Sequence, residues 1–107
     1  MSDGHDRALD MLVLLGTALG SRARVQVLMT LLDDRGAASV SELARLVQMP
    51  LSTVAHHVCV LVACGFVSKE PYGRDMALRV RDDVEAMLEH VTAWACESES
   101  EVDSDGR

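Results

Sequence analysis

Three cysteines and two adjacent histidines are the first candidates for chemistry in this 107-residue chain. Cys59, Cys64 and Cys96 are odd in number and too few for a disulfide framework, so each is either a small buried hydrophobe or a reactive or liganding thiol. Cys59 and Cys64 stand five residues apart, roughly 140° around a regular helix, and would have to distort that helix to share one ion. His56 and His57 follow Ser52 and Thr53 in a short apolar run, a grouping that can contact phosphates or base edges. His5 and His90 have nothing at ligand spacing and read as surface residues. No carboxylate pair, nucleophile with a base, or phosphate-cradling glycine loop is present, so an enzyme is not expected.

Charge bears directly on whether DNA is a reasonable partner. The formal net charge is −7, with 17 Asp and Glu against 10 Lys and Arg, which at face value opposes nucleic acid. Its location changes that reading. Residues 1–10 carry −2 and the segment from Glu97 carries −4, leaving −1 for the 86 residues between them. The segment 97–107 alternates Ser with acids and reads as a disordered acidic tail, and residues 1–7 as a flexible N-terminus. The 49% hydrophobic and 25% charged composition is globular, so residues 8–96 form one small domain. No run approaches the ~18 to 20 apolar residues of a membrane span, and the first residues lack a basic leader; the expectation is a cytoplasmic protein with no membrane partner.

The elements that position these residues follow from periodicity and caps. Leu9, Leu12, Val13, Leu15 and Leu19 recur at helical spacing, while Met11 and Leu14 fill the other side; a helix so apolar needs cover on more than one side, and a second copy of the chain would supply it. Gly20 ends that helix. Ser21 caps the next, whose stripe is Val25, Leu28, Met29 and Leu32, with Asp33, Asp34 and Gly36 as its stop. A third helix starts after Ser39 or Ser41, Ser39 having Glu42 at capping-box spacing, and buries Leu43, Ala44, Leu46 and Val47. Pro50 breaks the chain, and Ser52 caps a fourth helix running to Gly65. Residues 66–70 and 76–80 flank a turn-rich joint and read as a hairpin. Asp82 or Asp83 then caps a last helix carrying Val84, Met87, Leu88, Val91 and Trp94 on one side. The fold class is mainly α with a small β-hairpin, in the order α-α-α-α-β-β-α. Two short helices about four residues apart and followed by a hairpin describe a winged helix-turn-helix.

Specific residues carry a family resemblance. Ala18-Leu-Gly-Ser-Arg-Ala-Arg-Val-Gln-Val-Leu28 is similar to the "ALADPTRLRIL" run of the ArsR/SmtB repressors, and Ser52-Thr-Val-Ala-His-His57-Val-Cys-Val-Leu61 resembles their recognition-helix pattern "S-x-x-S-x-H-L-x-x-L". Val62-Ala-Cys-Gly65-Phe66-Val67 resembles the "AGLV" that leads into their wing. The likeness runs from about Leu9 to Trp94, with Arg22 in place of the usual Pro and Ala55 in place of a common Ser. It implies a homodimeric transcriptional repressor that binds double-stranded operator DNA and answers to a metal or metabolite. The dimer would form through the first and last helices, with Leu9, Leu12, Met87, Val91 and Trp94 as interface residues.

On the fourth helix Val54, Val58, Leu61 and Gly65 fall on one line, assigned to the core, while Ser52, Thr53, His56 and Cys59 or Val60 face away. Ser52 and Thr53 are placed to bond phosphates or bases, and His56 to meet a base edge. His57, at the family histidine, is open between a positioning role and direct DNA contact. Arg45, Lys69, Arg74 and also Arg22 would anchor phosphates, with Glu70 and Asp75 partly cancelling the wing's cations.

The effector is less constrained. The "C-x-C" thiolate motif that some relatives carry at the third helix is absent, Ala37-Ala38-Ser39-Val40-Ser41 standing there. By resemblance, Cys64 falls at the second of two recognition-helix cysteines used by other relatives, with Val60 at the first and Cys59 displaced by one. Cys96 can meet Cys64 within or across a dimer, giving a thiolate pair for a soft metal or metalloid ion (Cd, Pb, Hg or As(III)), or a redox or persulfide sensor with no ion. Cys59 is the weakest of the three, and packing alone would equally account for all of them. Asp83, Glu85, Cys96 and Glu99 echo the spacing of the family's last-helix metal pattern, but its imidazoles are replaced. A winged-helix protein-interaction module that does not bind DNA is the alternative function.

Overall fold

The computed structural model describes residues 3–33 and 39–106, with side chains for 4–33, 39–74 and 76–97. Its elements are α1 (Asp3–Leu19), α2 (Arg22–Asp33), α3 (Val40–Val47), α4 (Leu51–Ala63), β1 (Val67–Tyr72), β2 (Asp75–Val80) and α5 (Asp82–Gly106). This is the expected order. The expected stop at Asp34 and Gly36, and Ala37 and Ala38, lie outside the described residues.

Local chemistry explains most boundaries. A Cβ on Gly20 would sit 2.5 Å from the Gly16 carbonyl oxygen, and α1 ends there. Ser21 Oγ accepts the Arg24 N–H at 3.2 Å, and Ser39 Oγ accepts the Glu42 N–H at 3.2 Å, so both serines cap as expected. α3 ends on Gln48 in the left-handed region, and the chain bends 116° into α4, within the range of a helix-turn-helix. Pro50, not Ser52, is the N-cap of α4 and supplies no side-chain cap. Proline's fixed φ suits a helix start, and Ser52 is left standing in the first turn.

The hairpin is longer than the sequence suggests. β1 and β2 pair antiparallel from Val67↔Val80 to Tyr72↔Asp75, so Pro71 and Tyr72 lie within the ladder and only Gly73 and Arg74 form the loop. Gly73 takes φ +63°, the positive value a tight two-residue loop asks of its first position. Pro71 costs nothing there, because each strand of a two-stranded sheet is an edge.

The core gathers around α2. Val27, Leu28 and Leu31 are fully buried, together with Leu43, Val54, Leu61 and Phe66. Sequence periodicity put Val25, Leu28, Met29 and Leu32 on the buried stripe; the wider burial arises because α2 packs against α1, α3, α4 and β2 at once. Leu46, expected inside α3, is exposed, and that helix buries Leu43, Ala44 and Val47. Helical backbone in α5 runs to Gly106, through most of the segment read as an acidic tail, and α1 takes in most of residues 1–7. Met11 and Leu15 of α1 share a cavity of about 180 Å³ with Phe66, Val84 and Met87. The radius of gyration, 16.0 Å, exceeds the ~13 Å of a compact chain this long. Among the described residues no single helix is long and apolar enough to cross a membrane.

Candidate nucleic-acid interface

α4 has two faces made by its sequence. Val54, Val58 and Leu61 are buried against the core, and Ser52, Thr53, His56 and Cys59 are exposed. At 100° per residue Ser52, His56 and Cys59 lie within about 60° of one another, one stripe along two turns. Val60, offered by the sequence as an alternative to Cys59 on that face, is partly buried against the core. The first-turn N–H groups of α4 have no side-chain cap from Pro50. They present the positive end of a helix dipole beside two hydroxyls, an arrangement that accepts phosphate oxygens.

His57 does not share this stripe. It is buried, 8% exposed, with its ring 5.8 Å from that of His56. Burial first, then the Arg24 guanidinium and His56, push its imidazole below the ordinary histidine value, so the neutral form is favoured.

The cations expected to hold the DNA backbone are dispersed. Arg45 is exposed on α3 and lies 3.8 Å from Glu42. Lys69 is exposed on β1, and Arg74 is exposed at the wing tip. Arg22 is exposed at the start of α2. The side chain of Asp75 lies outside the described residues.

Two arginines that the sequence reading passed over organise the site. Arg24 lies one and two turns from Leu28 and Leu31 on the buried stripe of α2, and its Nη1 donates to the Thr17 carbonyl at the end of α1. A cation on an otherwise buried stripe was the signal in the sequence. Arg81 makes a two-pronged pair with Asp83, 3.0 Å from Nε to Oδ1 and 2.6 Å from Nη2 to Oδ2. Its Nη1 lies 3.5 Å from the Gly65 carbonyl, and its backbone N–H donates to the Phe66 carbonyl at 3.0 Å. Arg81 therefore joins the end of α4, the base of the wing and the start of α5. The hydrogen bond from Arg81 is the main reason the Asp83 carboxyl is held below its usual range.

The thiols occupy three environments. Cys64 caps the C-terminus of α4 and is buried with the core, whereas Cys59 is exposed on the outward stripe and Cys96 is exposed on α5. All three are free. Among the described residues no three His, Cys, Asp or Glu side chains gather as ligands for an ion; the side chain of Glu99 lies outside them. Of the residues expected at a dimer interface, Leu9, Leu12, Val91 and Trp94 are exposed, and Met87 is partly buried against the core.

A polar helix face set at 116° to its neighbour and followed by a paired hairpin has a direct counterpart in known proteins. Residues 21–69, from the cap of α2 into β1, match the family model described as bacterial regulatory protein, arsR family. The chain carries the ArsR-family winged helix-turn-helix. Solved structures agree over nearly the whole chain. The homodimeric winged helix-turn-helix DNA-binding domain of Mb0332 from Mycobacterium bovis, a possible ArsR-family transcriptional regulator, is 28% identical, with 91% of this chain and 89% of that one covered and a TM-score of 0.78. Reduced HlyU from Vibrio cholerae is 24% identical over 89% of this chain and 99% of its own, TM-score 0.71. The antimony-specific transcriptional repressor AntR is 23% identical over 94% and 86%, TM-score 0.68. These last two share the fold. No curated protein matches the chain. The five helices and antiparallel hairpin are thus the fold of an ArsR-family DNA-binding regulator.

Proposed function

We propose that this ArsR-family chain is a dimeric repressor that reads double-stranded operator DNA with α4 and the wing, and is released by a thiol-directed effector. The observation that carries the DNA reading is the outward stripe of α4. Ser52, Thr53 and His56 are exposed on a helix whose opposite face is fully buried, so the stripe is rigidly backed and uncharged, suited to a major groove approached by two copies.

Dimerisation rests on α1 and α5. Leu9, Met11, Leu12 and Val13 are all at least 42% exposed, and Val91 and Trp94 are 44% and 65% exposed. Apolar groups so concentrated are those an obligate partner covers, and the Mycobacterium bovis neighbour is homodimeric. Arg45, Lys69 and Arg74 then supply phosphate contacts on each protomer.

The effector belongs to the thiol-reactive class: a soft metal or metalloid ion, or an oxidant or persulfide. The antimony-specific AntR shares the fold and lends weight to the first kind. Cys64 and Cys96 remain the proposed pair, with Cys59 exposed where any adduct stands between helix and DNA. Domain limits of 8–96, flanked by acidic ends, complete the reading, and the compartment proposed is the cytoplasm.

A gel-shift titration against the upstream region of its own gene, at two salt concentrations, tests the reading. Retardation that weakens steeply with salt is expected, because each neutralised phosphate releases counterions. No retardation at low salt would sink the repressor assignment in favour of a protein-docking module.

A further inference from the structure

Among the described residues, two buried side-chain polar atoms have no hydrogen-bond partner, and one belongs to a side chain whose charge acts on the other. Arg24 Nε on α2 and His57 Nδ1 on α4 are both enclosed without a hydrogen bond, in helices that pack together, and the Arg24 charge acts on the His57 ring. A buried donor or acceptor left unpaired loses its hydration with nothing in return, so two of them at one interface are better satisfied by each other. Only one arrangement of protons allows it. The guanidinium Nε can only donate, so His57 Nδ1 must be bare and the ring proton must sit on Nε2.

We propose that His57 is a positioning residue for the DNA-reading helix: its neutral Nδ1 accepts the Arg24 Nε–H, and Arg24 ties α4 to the Thr17 carbonyl at the end of α1. The link runs from the helix proposed to dimerise, through α2, to the helix proposed to read DNA. Protonating His57 replaces the acceptor with a second donor and sets two cations face to face, so the link opens in acid and DNA is released. This rests on the DNA-binding reading above.

The sign follows from the environment. Among the described residues, the charged or titratable groups that act on the ring are Arg24 from α2 and His56 from α4 itself, and both oppose a positive charge there. The group titrates lower in the fold than when unfolded, so its contribution is complete above the ordinary histidine value and is lost as pH falls through the lowered one.

The test pairs imidazole NMR of the full chain with binding to a duplex carrying the upstream region of its own gene. In the wild type, His57 is expected as the Nε2–H tautomer with a midpoint below the ordinary 6.5. The amide signals of Thr17 and α4 should follow that midpoint. Arg24→Met should raise it. Duplex affinity should fall between pH 7.5 and 5.5, by at most about tenfold per pH unit for each protomer's proton. His57→Asn, which keeps an acceptor near the Nδ1 position without titrating, should bind like wild type at pH 7.5 and show no fall toward acid.

A proton on Nδ1 of the neutral ring, or a midpoint unmoved by Arg24→Met, would overturn the pairing. The same acid loss in His57→Asn would overturn the positioning role. If the duplex is not bound at any pH, the repressor reading fails, while the tautomer and the linked Thr17 and α4 shifts still decide the pairing and the link.

Discussion

The molecule turns two kinds of surface outward, and they are exposed for opposite reasons. The stripe of α4 carries Ser52, His56 and Cys59, small and polar enough to rest in water. The faces of α1 and α5 carry Leu9, Leu12, Val13, Val91 and Trp94, which gain nothing there. Burying one such side chain contributes about 1.5–3 kcal/mol, so the second surface has a standing drive to find cover and the first has none. Exposure alone therefore does not mark a reading face. What separates the two is what each loses by staying wet, and that predicts which substitutions change assembly and which change recognition.

Breaking the apolar surface should have the largest effect. Leu12 is 62% exposed, so Leu12→Glu leaves the core of the single chain untouched and places a charge in the proposed interface. Sedimentation should show a monomer, and duplex affinity should fall by roughly 10²- to 10⁴-fold as the second binding event ceases to be intramolecular. A dimer that survives this substitution would place the interface elsewhere.

The polar surface can be broken covalently. Alkylation with iodoacetamide should modify Cys59 and Cys96 in the native protein well before Cys64, the order of their exposure. Modified protein should lose DNA binding, and Cys59→Ser should restore it while Cys96→Ser should not. Peptide mass mapping with a gel shift reads both outcomes; rapid native labelling of Cys64 would mean that the end of α4 opens.

How far these surfaces were legible beforehand follows from their range. Ser21 and Ser39 are recognisable as caps because capping is decided within four residues, and the back of α4 is legible because Val54, Val58 and Leu61 meet one continuous core. The amphipathic stripe assumed for α2 failed at Val27 and Leu31, since a helix covered from several sides has no single buried line. Leu46 failed in the other direction, α3 being short and covered on one side only. The bond from Arg24 to Thr17 and the reach of Arg81 to Gly65 join residues 7 and 16 apart, and the Arg24 charge acts on His57 from 33 residues away, distances over which periodicity says nothing. The apolar excess of α1 was plain from composition, and its exposure in the single chain agrees with that reading.

Within the polar surface two roles can be separated. His56→Ala should cost about 1 kcal/mol of duplex affinity, the scale of one neutral hydrogen bond, and leave the salt dependence unchanged. Lys69→Ala should weaken all duplexes alike and reduce the slope of log affinity against log salt by about 1, the share of one phosphate contact. Fluorescence anisotropy across a salt series distinguishes them. Equal slopes in both variants would remove the wing from the DNA.

The smallest effect is expected where the two surfaces join. Arg81 bonds the Asp83 carboxylate at the start of α5 while touching the Gly65 carbonyl at the end of α4. The carboxyl is held below its ordinary value of 3.8 chiefly by that hydrogen bond. A depressed carboxylate stabilises the fold fully above its unfolded value and loses that contribution as pH falls through the folded one. Asp83→Asn should therefore lower the urea midpoint slightly at pH 7 and cease to differ from wild type once the pH has fallen through the lowered value. The pair is exposed, and exposed pairs contribute little, so the shift in midpoint should be smaller than any effect above. A large shift, or one that persists in acid, would show that Asp83 supports the α4, wing and α5 junction through something other than its charge.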